Sequence, residues 1–216
     1  YVTEMWDAWD LRSDEHKRTF DHPDLYDFVD VSQNNHKNGQ EHWDNFQWVK
    51  EYLGNVPRPI KTVKTYGADG NKFGHSDQDG LERAWRHVLG GAASIRFHRP
   101  DSGLGLSRKA QSTLKTIRLI EETVQFHELS ACDERLRERS KNEAYAVTDR
   151  RNIYLVFFTR GGQIGLDLAD QPDTFLLRWI DPTSATTGPS RPVNGGSIVQ
   201  LNAPEGRMSL AILSRQ

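Results

Sequence analysis

A single cysteine, Cys132, excludes any intrachain disulfide and any cysteine-rich metal site. That usage fits a reducing compartment, but secreted enzymes without disulfides are common, so it does not fix location. No apolar run approaches the roughly 18 residues of a membrane-spanning helix, so no membrane partner is expected. Charge of one sign is also missing: 28 basic against 30 acidic residues leave a net charge of −2, which gives no general attraction to nucleic acid or anionic lipid. There is no GxGxxG or Walker pattern after any apolar run, and Gly103-Leu104-Gly105 is too short a match to count. Eight histidines are enough for a metal site, yet no HxH or HExxH pair occurs. No metal and no other cofactor is therefore expected.

What is present suits a globular protein, with 36% hydrophobic and 27% charged residues. Residues 1–127 alternate short apolar runs with amphipathic stretches. The runs are 1–6, 26–33, 60–67 and 92–99. Helical spacing joins Trp43, Phe46, Val49 and Leu53, then Leu81, Ala84, Trp85, Val88 and Leu89. Ser107 reads as the N-cap of a third helix carrying Ala110, Leu114, Ile117 and Val124. Strand alternating with helix predicts βα units around a parallel sheet. Residues 7–25 have no clean period and read as a long loop with one irregular helical turn near Asp24.

From about residue 142 the rhythm changes. Six apolar runs (144–148, 153–159, 163–168, 174–180, 196–201 and 208–214) are separated by turn signals such as Gly161-Gly162 and Asp181-Pro182. Strands at that spacing without helices predict an antiparallel β-sandwich, with the polar stretch 128–142 as connector. The fold class expected is α/β followed by all-β, in two domains, 1–130 and 131–216.

Four βα units cannot close a parallel barrel, which takes eight strands. The chain also opens at Tyr1 directly on an apolar run, as a fragment or processed chain would. The first part is therefore expected to be the C-terminal half of a (β/α)8 barrel, with strands five to eight at 1–6, 26–33, 60–67 and 92–99.

The run Arg86-His87-Val88-Leu89-Gly90-Gly91-Ala92-Ala93-Ser94 resembles the last helix-to-strand passage of certain (β/α)8-barrel glycoside hydrolases that carry a C-terminal β-sandwich of the collagen-binding type. Ile153 to Phe158, Gly161-Gly162 and Leu177 to Pro182 look like that sandwich. The resemblance implies a secreted or periplasmic O-glycosyl hydrolase acting on a plant or microbial polysaccharide or oligosaccharide. It implies a carbohydrate partner and leaves oligomeric state open.

In a (β/α)8 enzyme the chemistry sits at the C-terminal ends of the strands, and glycoside hydrolysis uses two carboxyl groups flanking the scissile bond. Glu4 is the catalytic candidate, with its partner carboxylate on the other half, and this chain alone is expected to be inactive. Trp6 and Asp7 beside it suit a sugar face, although a core indole and a solvated aspartate would look the same. Gln33, Asn34 and His36 offer donors and acceptors for hydroxyls, or merely cap the following helix. Tyr66-Gly67 stands where such glycosidases commonly place a second glutamate, and Asp69 could substitute from the loop. Alternation puts Arg96 and His98 on one face with Ser94. A buried Arg96 would need an acidic partner, for which Glu4 is the natural choice. Three other readings stay open: a carbohydrate-binding barrel that does not hydrolyse, a metal-dependent barrel hydrolase, and a sandwich that binds a polymer while the barrel part is scaffold.

Overall fold

The structure, a computed structural model, describes residues 1–6, 10–33, 37–67, 75–98 and 105–216. It divides into two compact units, Tyr1–Ala110 and Gln111–Gln216. The first mixes helices with parallel strand pairing and the second is built on antiparallel sheets. No helix among the described residues is long and apolar enough to cross a membrane.

In the first unit, β1 (Val29–Val31) pairs in parallel with β2 (Ile60–Thr62). Parallel bridges Lys61–Ser94 and Thr65–Phe97 add a third segment beside β2. Four positions separate Lys61 from Thr65, but only three separate Ser94 from Phe97. One extra residue therefore bulges on the β2 side, which re-aims the side chains that follow β2. Helices α2 (Gly39–Tyr52) and α3 (Asp77–Gly90) connect these segments. Val29, Val31 and Ile60 pack with Phe46, Val49 and Leu53 in one cluster. Full burial of each such side chain contributes on the order of 1.5–3 kcal/mol.

The start and end of α3 are legible as chemistry. Ser76 and Asp79 form a reciprocal capping box, and Gly91 closes the helix at φ +97°. From Gly80 to Gly90 every residue is buried, including Glu82, Arg83, Arg86 and His87. Gly90 lets α3 approach α2 closely, since a Cβ there would meet the Phe46 ring at 2.7 Å.

Two expectations for this unit are corrected. Residues 1–6 form no strand: the backbone of Val2 bonds the Asp27 carboxylate and amide, and no strand among the described residues pairs with them. Residues 7–25, expected to be largely loop, contain the helix α1 (Asp14–Phe20). Its acidic first turn and basic last turn favour a helix through the dipole, a signal independent of apolar period.

Helix α4 (Arg108–Glu121) follows, and Ser107 caps it by accepting from the Ala110 amide at 3.1 Å. Its buried stripe is Ala110, Thr113, Thr116 and Ile120, while the expected Leu114 and Ile117 are half-buried and the expected Val124 is buried beyond the helix end. In the second unit Thr116 Oγ1 donates to the Pro182 carbonyl at 3.3 Å.

The strands of the second unit are β3 (Ser130–Ala131), β4 (Leu136–Arg137), β5 (Ala144–Thr148), β6 (Ile153–Phe158), β7 (Gly162–Asp167), β8 (Thr174–Asp181), β9 (Thr186–Thr187), β10 (Arg191–Asn194), β11 (Ile198–Ala203) and β12 (Ser209–Arg215). One sheet runs β10-β8-β12-β6-β5-β3, with β9 on β8; the other runs β11-β7-β4. Residues 128–142 are more than a connector, because β3 joins the first sheet and β4 the second. Side chains from both sheets share one core, including Tyr154, Val156, Phe158, Ile164, Leu166 and Leu213. Trp179 packs against this core, with its ring 5.6 Å from that of Phe158. Cys132 is buried in it, and burial raises its thiol pKa, so the thiol stays protonated.

Candidate functional site

The C-terminal ends of parallel strands are where a βα fold gathers function, because the loops there converge. In the first unit a cavity of about 350 Å³ opens at that end, lined by Met5, Val63, Lys64, Arg96, Phe97 and His98 with Gly105 and Leu106. The adjacent residues Val63 and Lys64 both reach it, as the bulge after β2 permits. Its wall is fixed by backbone bonds: Thr65 N donates to the Arg96 carbonyl at 2.7 Å, and His98 N donates to the Thr65 carbonyl at 3.0 Å. The Tyr66 ring lies 4.8 Å from that of His98, and Lys64 Nζ sits 5.4 Å from the Tyr66 centroid. The cavity thus combines two cationic side chains with aromatic and apolar surface. No carboxylate lines it among the described residues.

Gly67 explains why Tyr66 is not followed by an acidic side chain. Its φ is +89°, and a Cβ would lie 2.4 Å from the Ser76 carbonyl oxygen and 2.8 Å from the Gly80 nitrogen. The strand end is pressed onto the start of α3 so closely that no side chain fits.

Glu4 sits nearby in sequence to the cavity-lining Met5 but holds a different partner. Tyr26 Oη donates to Glu4 Oε2 at 2.7 Å, and this bond to the carboxylate raises the Tyr26 pKa. Trp6 Nε1 donates to Thr19 Oγ1 at 3.0 Å, and the Arg18 guanidinium lies over the Trp6 ring at 5.8 Å. Arg58 ties the same corner together, donating to the carbonyls of Thr19 and Tyr26 at 3.1 Å each and to that of Phe20.

Gln33 belongs to a third group. It is 2% exposed, and its Nε2 donates to the His42 carbonyl at 3.1 Å. His42 and His87 are buried with ring centroids 4.4 Å apart, and Arg86 Nε donates to His42 Nδ1 at 3.3 Å. Arg86 also pairs with Glu82 at 3.2 Å. Burial first, then the nearby Arg86 and Arg83, holds the His87 pKa down to about 3. His42 is likewise held well below the ordinary range by burial, His87 and the same two arginines. Both imidazoles are therefore neutral at physiological pH.

The structure thus brings together Tyr66, Arg96 and His98 around the cavity, sets Glu4 and Trp6 in the corner with α1, and encloses Gln33 between α2 and α3. The expectation of a buried Arg96 paired with Glu4 is corrected: Arg96 is exposed and the carboxylate holds Tyr26. Asp7, Asn34, His36 and Asp69 lie outside the described residues. Sequence reasoning missed Lys64, which only the bulge turns into the cavity. It also passed over Asp30, which is 4% exposed on β1 with Oδ1 unpartnered among the described residues. Burial raises the Asp30 pKa and the nearby Lys61 lowers it. A charge between Val29 and Val31 was the available signal. Among the described residues no group of three or more His, Cys, Asp or Glu side chains could hold a metal ion.

No protein-family model and no curated protein matches the chain. Solved structures do match in fold. A glycoside hydrolase family 5 protein from Bacteroides vulgatus superposes with TM-score 0.69 at 14% identity, over 89% of this chain and 51% of that one. A second structure described as a glycoside hydrolase gives TM-score 0.69 at 12% identity, over 91% and 54%. A glucosidase from Croceicoccus marinus gives 0.50 at 11% identity, over 96% and 58%. The chain has a glycoside hydrolase-like fold and spans about half the length of these neighbours.

Proposed function

We propose that this chain is part of a glycoside hydrolase: residues 1–130 as the C-terminal half of a (β/α)8 barrel, and residues 131–216 as an antiparallel β-sandwich. In full-length form the protein hydrolyses O-glycosidic bonds of a polysaccharide or oligosaccharide. The observation that carries the reading is the cavity at the C-terminal ends of parallel strand segments, where barrel enzymes hold their substrates. The glycoside hydrolase-like fold of the chain supports it. In this reading the barrel part extends to residue 130 and counts α4 as its last helix, although compactness divides the chain after Ala110.

In this reading Glu4 supplies one catalytic carboxyl group. The Tyr26 hydroxyl donates to it at 2.7 Å and orients the carboxylate as a nucleophile or base. The general acid then comes from a strand end outside this chain. Trp6, Tyr66, Arg96 and His98 contact the sugar, joined by Asp7, Asn34 and His36 from the loops. Gln33, being enclosed, shapes the strand end without touching the ligand. Secretion or periplasmic export is part of the same reading.

Gly67 favours a second reading, a carbohydrate-binding barrel without hydrolysis, because it rules out a carboxylate at that position of the strand end. Activity of the full-length protein on a panel of aryl glycosides separates the two. With Glu4→Gln, kcat/KM is expected to fall by about 10²-fold or more, on the scale of a lost catalytic proton-transfer group. Full activity in Glu4→Gln would remove Glu4 from the site. Saturable sugar binding without turnover would select the second reading.

A further inference from the structure

The strand-end cavity carries charge of one sign. Of its described lining residues, Lys64 and Arg96 bring full positive charges and none brings a negative one. Neither has an ion-pair partner among the described residues, whereas Arg86, Lys109, Arg135, Arg137 and Arg139 each hold a carboxylate. The surrounding surface is suited to a sugar ring rather than to a bare ion. Met5, Val63 and Phe97 give apolar faces for ring C–H groups, and His98 is braced against Tyr66. A volume of about 350 Å³ lies at the lower end of the roughly 300–1,000 Å³ of small-molecule sites, which limits the occupant to a sugar or two.

We infer that this cavity recognises an acidic sugar residue, a uronate whose carboxylate is held by Arg96 and Lys64. A planar guanidinium can donate to both oxygens of a carboxylate in a forked pair, and an ammonium adds a point charge beside it. Charge at this position then sets substrate class: acidic saccharides are selected over neutral ones, which leave two cations without a partner. The inference rests on the carbohydrate reading above and deepens it at the same strand ends.

The test is direct binding to the full-length protein by calorimetry at low salt, comparing methyl glucuronide, methyl glucoside and acetate. The glucuronide should bind about tenfold more tightly than the glucoside, the scale of one charge-assisted hydrogen-bond set. Raising the salt should narrow that margin. Arg96→Gln should erase most of it by weakening the glucuronide about tenfold. Lys64→Gln should do the same to a smaller degree, and circular dichroism of both variants checks that they are folded. Equal affinity for glucuronide and glucoside would overturn charge selection and leave the carbohydrate reading intact. Acetate binding as tightly as glucuronide would overturn the sugar part, making the cavity a plain anion site. No binding of any of the three would overturn the inference, while turnover of neutral aryl glycosides by the full-length protein would still uphold the hydrolase reading.

Discussion

The two units bury different chemistry. In the second unit the buried polar side chains are hydroxyls only: Thr113, Thr116, Thr148, Thr159 and Ser209. Its core is otherwise aliphatic and aromatic. The first unit buries Asp30, Glu82, Arg83, Arg86, His16, His42, His87 and Gln33. Such a core tolerates moderate acid, because its titratable groups, the Cys132 thiol and the Tyr154 hydroxyl, stay neutral there. A polar interior keeps its stability only while each group has its partner and its protonation state, since an unpaired buried charge costs several kcal/mol. The unit with the strand-end cavity is thus also the one whose interior is conditionally stable, a pattern expected where a fold is shaped for a site rather than for packing alone.

The largest effect expected from breaking this contrast is at Arg86. Arg86→Ala leaves Glu82, 8% exposed at its side chain, without its cation, and should destabilise the first unit by about 3–5 kcal/mol. Chemical denaturation followed by a probe in each unit would register it in the first unit only. The double replacement Glu82→Leu with Arg86→Met should recover most of the loss, because an apolar pair needs no compensation.

Acid should separate the units next. His42 and His87 have folded-state pKa values below their unfolded ones, so their contribution is fully present above about pH 6.5 and is lost as pH falls. Between there and the folded value of about 3 for His87, that histidine should remove about 1.4 kcal/mol per pH unit, and His42 adds a loss in the same direction. Asp30, raised by burial, works in the other direction. Denaturation midpoints at pH 7 and pH 5 should therefore move for the first unit and hold for the second. Equal movement in both would place the acid-sensitive groups elsewhere.

Two smaller substitutions sharpen the comparison. Gly90→Val forces a side chain against Phe46, with about 1–3 kcal/mol lost from the first unit by overpacking. Arg137→Ala removes a half-exposed pair with Asp167 on the second. Thermal melting should change there by the equivalent of less than about 1 kcal/mol.

Legibility in the sequence followed period. The stripes Trp43/Phe46/Val49/Leu53 and Leu81/Ala84/Trp85/Val88/Leu89 are buried as their spacing predicts, and six of the antiparallel strands lie where apolar runs do. Elements too short to show a period escaped. β3 and β4 have two residues each, and α1 buries only His16, Thr19 and Phe20. Residues 1–6 misled because apolar alternation registers only the capacity to pair, and Val2 finds Asp27 rather than a strand. At the candidate site, Arg96 and His98 were legible from their position at a strand end. Lys64 was not, because a one-residue bulge leaves no mark in the pattern of apolar residues. The reason for Gly67 became clear only with the Ser76 carbonyl and Gly80 packed against it.

The most direct measurement is a crystal structure of the full-length protein with an uncleaved saccharide bound. The account predicts a closed barrel of eight parallel strands in which β1, β2 and the 94–97 segment are neighbours, with the sugar at their C-terminal ends touching Arg96 and within reach of Glu4. A sugar seated on the second unit, or β1 and β2 lying in an open sheet, would contradict it.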